Sequence, residues 1–197
     1  VKKGDVILKV EATYPTLLRG ERLSLNIFQR MCGIATETAK YVKELAGTTT
    51  ELLDTRKTAP GLRVLDKMAV KDGGGTNHRM GLYDMAMIKD NHIKMAGGIA
   101  KAVEQVRARI AQGIKIEVET TNLDEVREAI AANADIIMLD NMDNATMTEA
   151  VKIIKAADKG INHCLVWVVS TNHGAQKFYK RIGFKFDGKI SKRLILE

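Results

Sequence analysis

Three observations predict an α/β fold, an incomplete βα barrel. Short apolar runs alternate with amphipathic stretches of helical period along most of the chain. Charged residues close successive runs: Arg56 and Lys57, then Lys89 and Asp90, then Glu119, then Asp140 and Asn141. Where a dinucleotide-binding sheet would carry a Gly-rich turn after its first strand, the chain reads Asp54-Thr55-Arg56-Lys57-Thr58. Repeated strand–helix units imply a parallel sheet. In a βα barrel the C-terminal strand ends form the rim where ligand groups gather.

Taken in order, Val6-Ile7-Leu8-Lys9-Val10 reads as a strand. With no initiator Met before it, the chain is expected to enter a domain partway. Apolar positions at Leu25, Phe28, Met31, Ile34, Ala35, Ala39, Val42 and Leu45 stripe one helix over 23–45, closed by Gly47. Strands follow at 51–53, 85–88, 114–118, 136–139 and 165–169, with helices over 61–70, 98–111, 123–132, 147–157 and 174–182. Ile99, Val103, Val106 and Ile110 mark the clearest of these stripes.

A chain of 197 residues holds one full core, or one domain and a fragment of another. No apolar run reaches membrane-spanning length and no signal-peptide core opens the chain. Cys32 and Cys164 sit in apolar periodic stretches and read as reduced core residues, so a cytoplasmic address is expected. The net charge of +7 admits nucleic acid, a membrane surface or an acidic metabolite. Aromatics are only 5% and no basic stripe is interleaved with Phe or Tyr, so a small anion ranks above nucleic acid.

The anion-binding chemistry concentrates in Asp54-Thr55-Arg56-Lys57-Thr58-Ala59-Pro60-Gly61-Leu62-Arg63 and Gly73-Gly74-Gly75-Thr76-Asn77-His78-Arg79. Arg56, Lys57, His78 and Arg79 offer planar forks and point charges suited to carboxylates or phosphates. The triple glycine beside them reads as a flexible loop of the same pocket; a solvated basic loop is the plain alternative. Lys89 follows an apolar run and is directed into the rim, unless it is only a strand-end lysine. Glu117 and Glu119 alternate with Ile116 and Val118 and share one strand face, either the barrel interior or an ordinary polar surface. Glu119 and Asp140 together make a two-carboxylate set of the kind that holds Mg²⁺ beside a substrate phosphate.

These motifs carry a resemblance. Leu18-Arg19-Gly20-Glu21-Arg22-Leu23-Ser24-Leu25-Asn26, Gly33-Ile34-Ala35-Thr36, the two basic segments above, Ile88-Lys89-Asp90-Asn91-His92 and Ile137-Met138-Leu139-Asp140-Asn141 closely resemble the quinolinate phosphoribosyltransferase family, in order over about 1–157. The resemblance implies a decarboxylating phosphoribosyl transfer in NAD biosynthesis. Quinolinate and phosphoribosyl pyrophosphate would give nicotinate mononucleotide, pyrophosphate and CO₂. It assigns Arg56, Lys57, His78 and Arg79 to quinolinate. Lys89, Glu119 and Asp140 go to the phosphoribosyl diphosphate and Mg²⁺, and Lys57, Lys89, Glu119 and Asp140 are the catalytic set. Arg22 is the second subunit's contribution, so a homodimer or higher oligomer is expected. The family frame divides the chain into 1–47, remnant of an N-terminal α/β sandwich domain with its linking helix, and 48–160, the barrel core. Its substrate could instead be that of the molybdenum-linked paralogues.

After about 157 this pattern stops, and the Ser- and Gly-rich loops for the sugar 5′-phosphate are not found. Residues 161–197 instead resemble the last strand–helix–hairpin of the acetyl-CoA-dependent N-acetyltransferases, with Asn172 and Tyr179 at cofactor positions and a hairpin of 185–187 with 191–196. The chain thus reads as the middle of one enzyme joined to the end of another. Acetyl transfer, or a non-catalytic chimeric scaffold, are the alternatives to an active phosphoribosyltransferase.

Overall fold

A computed structural model of the chain describes residues 1–157, 163–167 and 191–195. The elements run α1 (Tyr14–Glu44), β1 (Glu51–Leu53), α2 (Arg63–Asp72), β2 (Ala86–Ile88), α3 (Asp90–Ala96), α4 (Ile99–Arg107), β3 (Ile116–Thr120), α5 (Leu123–Ala131), β4 (Ile136–Leu139), α6 (Asn144–Ala156), β5 (His163–Trp167) and β6 (Ser191–Ile195). Six strands form one parallel sheet in the order β1-β6-β5-β4-β3-β2. Consecutive strands are therefore neighbours from β2 to β6, and the first strand lies beside the last.

The side-chain period of 2 sorts the sheet into two faces. Ile116, Val118, Ile137, Leu139 and Ile88 point outward into a core with Ile99, Ala102 and Val103 of α4, Val126, Ala129 and Ile130 of α5, and Met147, Ala150, Val151 and Ile154 of α6. Burying each large aliphatic side chain contributes roughly 1.5–3 kcal/mol. The alternate residues Ile136 and Met138 turn inward, where they meet Leu53, Met85 and Met87. β4 is buried on both faces, which is why Ile136–Leu139 reads as an unbroken apolar run.

Caps place the helices. Asn122 accepts from the N–H of Asp124 and Glu125 to start α5, and Asp143 accepts from the N–H of Thr146 to start α6. On β1, the edge away from β6 is also paired. Thr76 N–H donates to Leu52 O at 2.7 Å, and Asp54 N–H donates to Thr76 O at 3.2 Å.

Several expectations are corrected. Val6-Ile7-Leu8-Lys9-Val10 forms no strand; it is irregular and exposed (Val6 71%) and pairs with none of the described strands. The first helix starts at Tyr14 rather than 23, because Pro15 in its first turn is compatible with helix. Cys32 lies off the stripe of α1 and is exposed, not in the core. The short α3 was not expected. Ser191–Ile195 is not a hairpin arm over 193–195, where both of its edges are taken in parallel by β1 and β5. The expected helix over 174–182, Asn172, Tyr179 and segment 185–187 lie outside the described residues.

Candidate active site

The basic segments meet at the C-terminal end of β1, on a buried polar frame. Asp54, 5% exposed, receives the ammonium of Lys67 from α2, the Asn77 Nδ2 amide at 2.5 Å and the His78 backbone N–H at 2.8 Å. Lys67, 1% exposed, also donates to His78 O at 3.1 Å. A buried carboxylate with a cation and two N–H donors has the partners that make its burial tolerable. This frame ties the loop carrying Arg56 to the segment carrying His78 and Arg79.

From this frame His78 reaches across the inner face to β3, where its Nε2 lies 2.7 Å from Glu117 Oε2; both side chains are buried. Glu117 stands beside Met87 and Ile136 in register, so Glu117 and Glu119 share the sheet face that these residues line. Two residues on, Glu119 meets Lys89 Nζ at 2.9 and 3.2 Å through its two oxygens. Asp140 continues the inward parity of Met138 past the end of β4, its N–H donating to Thr120 O at 2.8 Å. Glu119 and Asp140 thus lie on one face of adjacent strands.

Arg79 is half-buried and donates to Met85 O at 3.1 Å and toward Met87 Sδ at 3.5 Å. Burial lowers its pKa from the ordinary guanidinium value, and the like charge of Arg56 lowers it further, against opposing pulls from Glu117, Asp84 and Glu119. It stays charged throughout the working range. These same influences place Arg79 within electrostatic reach of Arg56, Glu117 and Glu119. Arg56 keeps a buried Nε with no hydrogen-bond partner. Among the described residues the basic side chains therefore differ: His78 and Lys89 each contact a carboxylate, while the two guanidiniums of Arg56 and Arg79 make no ion pair with one.

The remaining expected residues fall elsewhere. Lys57 lines a cavity of about 370 Å³ between α1 and α2, with Arg30, Thr38, Thr55, Asp66 and Lys67. Arg22 is exposed on α1 and makes no hydrogen bond or ion pair with a described residue. Arg63 braces loops by donating to Thr58 Oγ1, Met80 O and Arg56 O. The triple glycine packs against α1. A Cβ on Gly73 would come within 2.5 Å of Ala35 O and 2.6 Å of Thr38 Cβ, so glycine there lets α1 close onto α2. Lys67, Asp54, Asn77 and Glu117 carry the frame without having stood among the expected site residues. The local signals were charge, Asp66-Lys67, inside the apolar stripe of α2, and the alternation that sets Glu117 beside Glu119 on one face of β3.

Comparison with known proteins places this arrangement. The family profile described as "Quinolinate phosphoribosyl transferase, C-terminal domain" matches residues 34–172. A probable nicotinate-nucleotide pyrophosphorylase [carboxylating] of Synechocystis sp. is 50% identical over 158 residues, 80% of this chain and 54% of its own. Its namesake in Bacillus subtilis is 47% identical over 154 residues, 78% of this chain and 53% of its own. The chain spans about half the length of these relatives. The crystal structure of NadC from Streptococcus pyogenes, 36% identical, covers 100% of this chain and 65% of its own with a TM-score of 0.80. That of the nicotinate-nucleotide pyrophosphorylase from Francisella tularensis, 40% identical, covers 92% and 61% with a TM-score of 0.77. The profile crosses residue 157 and the Streptococcus structure covers the tail, so the acetyltransferase resemblance of 161–197 finds no support. With its parallel α/β sheet and the profile matching over 34–172, the chain belongs to the quinolinate phosphoribosyltransferase C-terminal domain family.

Proposed function

We propose that this chain carries the quinolinate-binding half of a decarboxylating phosphoribosyltransferase site. The observation that carries this reading is the pair of guanidiniums, Arg56 and Arg79, without a carboxylate ion pair among the described residues, beside His78 and Lys89, which contact Glu117 and Glu119. Two half-buried guanidiniums without an ion-pair partner suit a planar dianion, which guanidinium forks orient through paired hydrogen bonds. Lys57 adds charge from the cavity side.

In the proposed reaction the pyridine nitrogen attacks C1 of phosphoribosyl pyrophosphate and the C1–O bond to pyrophosphate breaks. The 2-carboxylate then leaves as CO₂, its bonding electrons staying on C2, which takes a proton to give nicotinate mononucleotide. No covalent nucleophile is needed; positioning and electrostatics supply the rate. Lys89 would stabilise charge on the diphosphate side. The names of the relatives, pyrophosphorylase and phosphoribosyltransferase, support this chemistry.

Glu119 and Asp140 would hold Mg²⁺. Two carboxylates on one face fit an ion that takes its other oxygens from diphosphate and water, though no group of three ligating side chains occurs among the described residues and both Glu119 oxygens face Lys89. When bound, the ion supplies charge neutralisation for the leaving group. A βα barrel is supported by the strand order, in which the first strand lies beside the last, and by Thr76 on the outer edge of β1. In that frame 1–47 belongs with an N-terminal domain, 48–160 is barrel core, and β5 and β6 continue the wall. Arg22, exposed on α1, would serve a partner subunit's site in a homodimer.

Calorimetric titration with quinolinate tests the reading. Binding that Arg79→Ala abolishes supports it; a folded chain that ignores quinolinate and takes up acetyl-CoA overturns it.

A further inference from the structure

Glu117 is the least expected group on the inner face. It is 0% exposed, flanked in register by Met87 and Ile136, and its Oε1 is buried with no hydrogen-bond partner. A carboxylate in that setting costs more than an aliphatic side chain of similar volume, even with one ion-pair partner. What it holds is His78, and His78 is already fixed at two other points. Its N–H donates to Asp54 Oδ1 at 2.8 Å and its carbonyl accepts from Lys67 Nζ at 3.1 Å. The backbone of His78 is thus set by the Asp54–Lys67 frame, and the ring still needs one contact to fix its rotation and its tautomer.

We propose that Glu117 is a positioning residue for His78. By accepting a hydrogen bond from Nε2–H at 2.7 Å it orients the imidazole so that Nδ1, which has no hydrogen bond to a described residue, is the ring atom that donates to a substrate carboxylate when the ring carries a proton on both nitrogens. This rests on the quinolinate reading for its ligand, but not for its geometry. Glu117 then shapes selectivity for two adjacent carboxylates over one, without touching the substrate.

Two variants separate positioning from structure. Glu117→Gln keeps the length and an acceptor oxygen; Glu117→Leu keeps volume alone. Quinolinate and the monocarboxylate nicotinate are titrated into each folded variant, with circular dichroism confirming the fold. The expected result is that Gln holds quinolinate affinity to within about threefold, while Leu loses about tenfold or more, as removal of such supporting partners typically does, and narrows the preference for quinolinate over nicotinate. A folded Leu variant that binds like wild type overturns the proposal, as does equal loss in Gln and Leu. Independently of any ligand, ¹⁵N imidazole spectra, with His78 assigned from the His78→Gln variant, should show Nε2 protonated in the wild type and that preference lost in Glu117→Leu. A wild-type ring protonated only at Nδ1 sinks the proposal. If wild type fails to bind quinolinate, the functional reading falls, and the spectra still decide the role of Glu117.

Discussion

Lys67 reaches from the middle of α2 to the end of β1 and meets Asp54 in a buried ion pair, directly beneath the residues that carry Arg56 and His78. Three segments distant in sequence converge there, because Asn77 and the His78 N–H donate to the same carboxylate.

Lys67→Met should therefore destabilise the fold strongly. It leaves Asp54 buried with two neutral donors and no cation, a loss of about 3–5 kcal/mol. Urea unfolding followed by circular dichroism checks this. A change below about 1 kcal/mol would mean that solvent reaches Asp54.

Gly73→Ala should pry α1 from α2. The added methyl would sit 2.5 Å from a backbone oxygen, which cannot swing aside as a flexible side chain would. Overpacking of this kind costs about 1–3 kcal/mol. Gly20→Ala, within α1 and with nothing within 4 Å, should leave the melting temperature unchanged or slightly raised.

Asp66 links the same two helices through paired bonds from Arg30 at 2.7 and 2.8 Å. Arg30 holds its carboxyl below the ordinary range against the effect of burial, helped by the Ala59 N–H at 3.0 Å. A depressed folded pKa gives stability that is complete above the unfolded value, about 3.9, and is lost as pH falls through the folded one. Asp66→Asn should be less stable than wild type at neutral pH, with the gap closing below about pH 4. Melting temperatures from pH 2 to 7 test this; a gap constant across the range contradicts it.

Asn122→Ala should remove the cap of α5, whose carbonyl oxygen accepts from two N–H groups at 2.9 and 3.1 Å. The expected cost is about 1 kcal/mol, read as a lowered urea midpoint with an unchanged slope.

Much of the sheet was legible from period alone, because β3, β4, α5 and α6 carry clean patterns. β4 spans 136–139 as expected, and α5 differs from its expected range by one residue. The rim residues Arg56, Lys89, Glu119 and Asp140 were legible for the same reason: a charge that ends an apolar run on a parallel strand has few places to go. Partnership was not legible. Val6–Val10 has the composition of a strand, but composition does not supply a neighbouring edge. Gly73 and Gly75 looked like ligand-loop residues, and a neighbour of both, Thr38, lies far upstream in the chain, on α1. Lys67 was hidden, and so was the pairing of Glu117 with His78, because burial of a charge depends on partners 13 and 39 residues away.

In the proposed reading Arg56 and Arg79, which make no ion pair with a described carboxylate, take a dianion. Calorimetry on the folded chain at two salt concentrations tests it most directly, with quinolinate, nicotinate and acetyl-CoA as titrants. The expected result is binding of quinolinate, weakened by salt, at least tenfold tighter than nicotinate and lost in Arg56→Ala and Arg79→Ala. Equal affinity for quinolinate and nicotinate, or binding that survives both substitutions, would contradict it.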